Sequence, residues 1–447
     1  MTANPSLPAV GHTRPAATTG PTRPLADWRP EDPAFWDATG ARVARRNLVY
    51  SVLCEHIGFS VWSMWSVLVL FLGPEYGIDP AGKFLLTAVP TLVGALLRLP
   101  YTVAVSLFGG RRWTVVSALA LLVPTVLTGW LLRPGVSPAT LLLLAAAAGV
   151  GGGNFASSMA NINAFYPQRL KGRALGINAG GGNLGVPVVQ LAGLLVLTTA
   201  GASHPRLVPL LYVPLVVLAA LAAALRMDDL PRSRPPGSPL REVARDPHAW
   251  AVSTLYIGTF GSFIGFGFAF GQVLLVQFPH DFPTPVRAAC LTFLGPLLGS
   301  LARPVGGALA DRLGGARVTF CAFLAMAGST CLVLLASRDG SLPLFLTGFV
   351  LLFVLSGAGN GSTYKMIPGI YRDRPGPRAH LHANALMGIA GAVGALGGVL
   401  INLAFRQAFL AHGTGEQAYT AFLVLYVLCL ALTWAVYLRG ARAVREN

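Results

Sequence analysis

Five ionisable side chains stand inside otherwise apolar runs: Glu55 and His56 in "SVLCEHIGFSVW", Arg98 in "GALLRLPYT", Arg303 in "GSLARPVGG" and Lys365 in "GNGSTYKMIPGIY". An arginine at the centre of a membrane helix costs about 2.5–3.5 kcal/mol on insertion scales, so each of these is a functional candidate by default. Arg98 and Arg303 lie too deep in their runs to reach the surface easily. Two like charges facing one central space repel unless an anion lies between them, and the planar guanidinium fork suits a planar oxyanion. The bland alternative is bonding to helix carbonyls or to a buried acid, and the one acid at comparable depth is Glu55. An anionic substrate is therefore expected. Lys365 is only about one and a half turns from the end of its run, so it suits snorkelling as well as coupling. Glu55 and His56 are adjacent and project about 100° apart on a helix, so they cannot both face one space fully. Either could carry a proton.

A second chemical signal is the stretch "GGGNFASSMANINAFYPQRLKGRALGINAGGGNLG", residues 151–185, set in a chain of mostly Leu, Ala and Val. Its glycines let helix backbones approach and slide. Asn154, Asn161, Asn163, Asn178 and Asn183 each bring an amide that must find partners away from water, and an amide can donate to an oxyanion. Asn178 and Asn183 are five apart, about 140° around a helix, so only one of the two need face substrate. Asn161 and Asn163 carry no role that the sequence reveals.

The elements that hold these residues follow from composition. The 447 residues are 54% hydrophobic and 11% charged, with a mean hydropathy of +0.61, the profile of an all-α integral membrane protein. Twelve spans are expected, at 48–72, 81–108, 113–132, 138–166, 173–199, 206–226, 249–277, 286–311, 317–336, 342–370, 382–409 and 418–438. The net charge of +16 raises the question of a nucleic-acid partner. With the N-terminus inside, six of the 33 Lys and Arg fall on the outer side (Lys83, Arg133, Arg206, Arg287, Arg338, Arg406), three fall within helices and the other 24 are cytoplasmic. This positive-inside bias accounts for the charge without nucleic acid and puts both termini in the cytoplasm of a cell-membrane protein surrounded by lipid. Cys54, Cys290, Cys321, Cys331 and Cys429 show no CxxC spacing, so no metal site, disulfide framework or cofactor is expected. Neither a nucleophile with its base nor an HExxH cluster is present to make an intramembrane enzyme.

The halves of the chain match. Arg98 is followed by "GGRR" at Gly109 and Arg303 by "GGAR" at Gly314, the same eleven-residue step, and Asn154 and Asn360 follow the two arginines at 56 and 57 residues. The expected division is a cytoplasmic tail at 1–47 (Pro-, Thr- and Ala-rich to about residue 27, and read as disordered), a six-helix bundle at 48–226, a linker at 227–248 containing "DDLPRSRPPGSPLREVARDPH", a second bundle at 249–438 and a tail at 439–447. Two repeat-related six-helix bundles, with the charged loop "GGALADRLGGAR" in the second, resemble the major facilitator superfamily, whose fold places substrate between the halves.

Within that superfamily, the 151–185 stretch closely resembles the first signature of the nitrate/nitrite porters, the NarK-type branch, and "GAGNGSTYKMIPGIY" resembles the second. The likeness runs from "DWRPEDPAFW" through "ALLRLPYT", "FGGRRWT" and "TFGSFIGF" to "TWAVY", nearly the whole chain. The resemblance implies that nitrate or nitrite is held between Arg98 and Arg303. It implies further that Tyr256 and Asn183 donate to the ion's oxygens and that Phe59, Phe155 and Phe260 flatten the site around it. Family members either exchange nitrate for nitrite or take up nitrate with protons. The members that can be compared have apolar residues at Glu55 and His56 and an uncharged one at Lys365. The expectation is a monomeric alternating-access transporter taking up nitrate with protons, with nitrate/nitrite antiport and a non-transporting anion sensor as the alternatives.

Overall fold

A backbone in hydrocarbon must satisfy its own polar groups, so apolar runs of this length fold as helices. The computed structural model describes residue 25 and residues 27–231, 239–370 and 378–439. Residues 1–24, 26 and 440–447 of the expected tails, and 232–238 of the expected linker, lie outside the described residues. Twelve helices are long and apolar enough to span a membrane. They are α1 (Pro33–Phe71), α2 (Pro80–Phe108), α3 (Gly110–Leu131), α4 (Pro138–Phe165), α5 (Gln168–Thr199), α6 (Leu207–Arg226), α7 (Pro247–Gln277), α8 (Pro285–Leu313), α9 (Gly315–Arg338), α10 (Leu342–Ile367), α11 (Leu381–His412) and α12 (Glu416–Leu438). Among the described residues there is no strand.

Several starts are written locally in the sequence as a capping residue followed by proline. Asp32, Asp79, Ser137 and Asp246 each accept a bond from a first-turn backbone N–H, and Pro33, Pro80, Pro138 and Pro247 occupy the position whose own N–H has no partner to lose. The first of these signals starts α1 at Pro33, well before the apolar run at 48. The extra turns lie over the α4–α5 corner: Trp36 packs on Tyr166 and Trp28 on Phe165, while Glu31 accepts from the Gln168 backbone N–H at 2.9 Å.

The packing repeats between the halves. α2 lies on α4 as α8 lies on α10, and α3 lies on α6 as α9 lies on α12. The corners after α2 and α8 are superimposable in kind: Gly109 and Gly314 take φ of +93° and +91°, a conformation that favours glycine. Across the halves, α2 runs along α11, α5 along α8, and α1 against α7. Leu96, Leu143, Leu218, Leu225 and Leu301 are exposed, as a lipid-facing exterior requires, and exposed Trp130, Trp250 and Trp434 lie close to helix ends, where indole rings favour the membrane interface.

Candidate functional site

α2 brings Arg98 and α8 brings Arg303 to the boundary between the halves, where they are 0% and 3% exposed. Arg98 donates from Nη1 to the Gly391 carbonyl of α11 at 2.6 Å and from Nε to the Gly152 carbonyl of α4 at 3.2 Å, and its Nη2 has no partner. Arg303 donates from Nη2 to the Tyr256 hydroxyl at 3.2 Å, and its Nη1 has no partner. Both guanidinium groups lie against the same Phe155 ring, 4.7 and 5.6 Å from its centroid, so their separation cannot exceed the sum of those two lengths. Among the described residues neither arginine makes an ion pair. Two buried cations, each with an orphaned N–H donor, beside one ring and without an ion-pair partner, have the charge and the donors to receive an anion.

The walls are aromatic. A π-type turn, Ile257–Gly261, interrupts α7, a distortion common at functional sites, and Tyr256 just before it stacks at 5.2 Å on Phe260 within it. Phe260 also stacks on Phe155 at 5.9 Å and lies 4.7 Å from the Arg98 guanidinium. Phe59 reaches the edge of this cluster through Phe155 and Trp62. Asn183, on α5, is 1% exposed and neither atom of its amide has a partner, as suits a ligand for an anion's oxygen. Asn178 turns elsewhere, to Glu55, as the five-residue spacing anticipates.

The three coupling candidates do not converge. Glu55 is buried within the first half, where its Oε2 accepts from Ser158 Oγ at 2.5 Å and Asn178 Nδ2 at 2.6 Å, and its Oε1 has no partner. His56 turns its Nδ1 to the Gly181 carbonyl at 3.1 Å. Lys365 pairs with Asp311 of α8 at 2.5 Å, so its partner is an acid of the charged loop rather than Glu55. Fifty-four residues separate the two, a relation that spacing along the chain does not reveal.

Two residues of the cluster were not singled out by the sequence. Trp62 lies 5.4 Å from the Arg98 guanidinium and is held by its own bond to the Pro90 carbonyl. Tyr364 lies against Arg303, Tyr256 and Phe155, and its buried hydroxyl has no partner. The available signal was helical register, since Tyr364 is four residues beyond Asn360 on the same face. Asn154 and its counterpart Asn360 are both buried without partners for their amides. Asn163 reaches Asn384 of α11 across the halves, and Asn161 lies against Gly110 of α3.

Two repeated six-helix halves with a buried cationic cluster at their boundary have the architecture of a membrane transporter. The sequence pattern described as Major Facilitator Superfamily matches residues 56–401. The nitrate/nitrite transporter NarU of Salmonella typhimurium is 40% identical, over 95% of this chain and 97% of that protein. The chain belongs to the nitrate/nitrite porter family of the Major Facilitator Superfamily. A Thermus thermophilus protein named as a probable nitrate/nitrite antiporter, NarK2, is 36% identical over 93% of this chain and 96% of its own. The fold is also that of the partially occluded, inward-open xylose transporter XylE from E. coli, with a TM-score of 0.65 at 14% identity, covering 90% of this chain and 98% of that one.

Proposed function

We propose that the protein carries nitrate and nitrite across the cytoplasmic membrane by alternating access, and that its net reaction is nitrate uptake together with protons. The observation that carries the anion is the pair of buried, unpaired arginines on one aromatic ring, each with an orphaned donor. A trigonal or bent ion of two or three oxygens takes those donors while Tyr256, Asn183 and the rings of Phe59, Phe155 and Phe260 fix its plane and exclude water. The relatives' names supply the identity of the ion.

The bodies that move are the bundles at 48–226 and 249–438, joined by the linker at 227–248, in a monomer surrounded by lipid with both termini cytoplasmic. Without an anion the two guanidinium charges repel across the boundary, and a bound anion removes that repulsion and favours the closed arrangement. Glu55 is the proton carrier. It is the buried carboxylate whose electrostatic surroundings include both Arg98 and Arg303, so anion and proton binding are linked through the field of the arginines. His56 and Lys365 are occupied with Gly181 and Asp311 and are the secondary candidates.

The test is nitrate uptake into proteoliposomes. Under an inward proton gradient the wild type should accumulate nitrate with entry of protons, and Glu55→Gln should lose gradient-driven uptake by about tenfold or more. Unchanged gradient-driven uptake in Glu55→Gln removes that residue as the carrier. The name of the Thermus relative favours a second reading, exchange of external nitrate for internal nitrite. Uptake that depends on internal nitrite and ignores the gradient selects it, and binding without flux selects a sensor.

A further inference from the structure

Glu55 is the inner end of a buried polar file that does not use the anion's route. On α1, Asn47, Ser51 and Glu55 recur every four residues, one face of the helix, and are 0%, 2% and 1% exposed. Ser51 Oγ is 3.0 Å from Ser158 Oγ of α4, and Ser158 Oγ is 2.5 Å from Glu55 Oε2. Asn178 Nδ2 of α5 reaches both Glu55 Oε2 and Ser158 Oγ, at 2.6 and 2.5 Å, and fixes their geometry. One turn further out, Asn47 is tied by two bonds to Asp228, at 2.7 and 2.9 Å, and Asp228 is paired with half-exposed Arg46 at the end of the bundle where α1 begins and α12 finishes, the terminal side. Every member belongs to the first half or its exit, whereas the anion site is built across both halves.

We propose that this file is a dedicated proton path between Glu55 and the water on the terminal side, with Ser51 and Ser158 as its relay and Asn47–Asp228 as its mouth. The inference rests on Glu55 being the proton carrier. Toward Glu55, Ser158 gives its hydroxyl proton to Oε2 as it takes one from Ser51, and Ser51 takes its own from a hydronium ion at the mouth, which is left as water. Each O–H bond broken is matched by one formed, and Glu55 changes from carboxylate to acid. In the release direction the same hops run in reverse. A hydroxyl is both donor and acceptor, so serine can relay in either direction, which an aliphatic side chain cannot. The other oxygen, Oε1, has no partner and lies against Gly182, next to Asn183, so the carboxyl group has one oxygen on the file and the other toward the α5 segment of the anion site. The groups that face Glu55 are Ser158 from α4, Asn178 and Gly182 from α5, and the charges of Arg98 and Arg303, while its neighbour His56 is turned to Gly181.

The experiment uses full-length protein in liposomes loaded with a pH-sensitive dye, with two readouts: proton entry coupled to nitrate, and nitrate-for-nitrite counterflow without a gradient. Exchange returns Glu55 across the membrane with its proton still bound, so it does not need the file. Ser51→Ala should slow proton-coupled uptake about tenfold while counterflow stays within about twofold of wild type, and Ser51→Thr, which keeps the hydroxyl, should restore it. Preserved counterflow also shows that the variant is folded. Proton-coupled uptake at the wild-type rate in both Ser51→Ala and Ser158→Ala, while Glu55→Gln has lost it, overturns the path and leaves Glu55 as carrier. Wild-type uptake in Glu55→Gln overturns the carrier itself.

Discussion

At the residue scale the proposed anion site rests on two arginines, and their environments make lysine a poor substitute. Arg98 uses two of its nitrogens to hold the Gly391 and Gly152 carbonyls and leaves a third without a partner, and Arg303 bonds Tyr256 through one nitrogen and leaves another without a partner. An ammonium keeps the charge but cannot point donors in fixed, separate directions. Arg98→Lys and Arg303→Lys should each reduce nitrate uptake by about a hundredfold, since a buried charged hydrogen bond is worth about 1.5–3 kcal/mol and more than one is lost. Tyr364 tests a gentler change. Tyr364→Phe keeps the ring that packs on Tyr256 and Phe155 and removes only the unpartnered hydroxyl. If that hydroxyl donates to substrate, KM for nitrate rises about fivefold with little change in maximal rate, the value of one ordinary hydrogen bond. Unchanged KM assigns Tyr364 to the wall alone. The arginines were legible in the sequence because a charge in an apolar run stands out. Trp62 and Tyr364 were not, because Trp62 is one aromatic residue among many in such a run, and the register that puts Tyr364 one turn beyond Asn360 does not show what their common face meets.

Among the elements, the apolar spans were legible nearly to their ends, because in lipid the length of an apolar run and the length of its helix are set by the same hydrocarbon thickness. The clear exception is α1, whose first turns from Pro33 are polar and amphipathic and are held by contact with the α4–α5 corner instead of by lipid. Hydropathy has no access to such packing. The corner between α2 and α3 was visible as "GGRR", but its fastening was not. The Asp229 carboxylate accepts from the Arg111 backbone N–H at 2.9 Å and lies 3.6 and 3.8 Å from the side chains of Arg111 and Arg112, and it is the first atom group that a Cβ on Gly109 would meet. Gly109→Ala therefore combines a left-handed backbone position with a clash, whereas Gly314, in the matching corner of the second half, has open space beside it. Both variants should melt earlier in detergent than wild type, by about 1 kcal/mol for the conformation alone, and Gly109→Ala should be the worse of the two. Equal melting temperatures for the two variants would show that the Asp229 contact gives way without cost.

For the whole molecule the sequence repeat announced two halves, and the structure shows them in contact on both sides of the arginine pair. On the terminal side Asn163 meets Asn384, joining α4 to α11. On the other side Thr87 donates to Asn402 at 2.7 Å, joining α2 to α11, Gln190 donates to the Gly267 carbonyl at 2.8 Å, and Trp62 packs edge-on against Phe268. The arginines, Tyr256, Phe155, Phe260 and Asn183 are all buried between these layers, an arrangement closed toward both compartments. Rocking of the halves must break one layer while it keeps the other. Asn163 carried no meaning in the sequence because its partner is on the other half of the chain, and its bond to Asn384 makes it a candidate for one side of a gate. Cysteines placed at Asn163 and Asn384, in a background cleared of the exposed Cys290, Cys321 and Cys331, should allow a short thiol cross-linker to stop nitrate counterflow, with recovery on reduction. The pair at Thr87 and Asn402 should stop it as well. The two locks should differ in which side remains accessible: with Asn163–Asn384 held, only a reagent on the opposite side should label a thiol introduced near Asn183, and with Thr87–Asn402 held, only one on the terminal side. The same sidedness from both locks would refute the two-gate arrangement, because it would mean that one layer stays shut throughout the cycle.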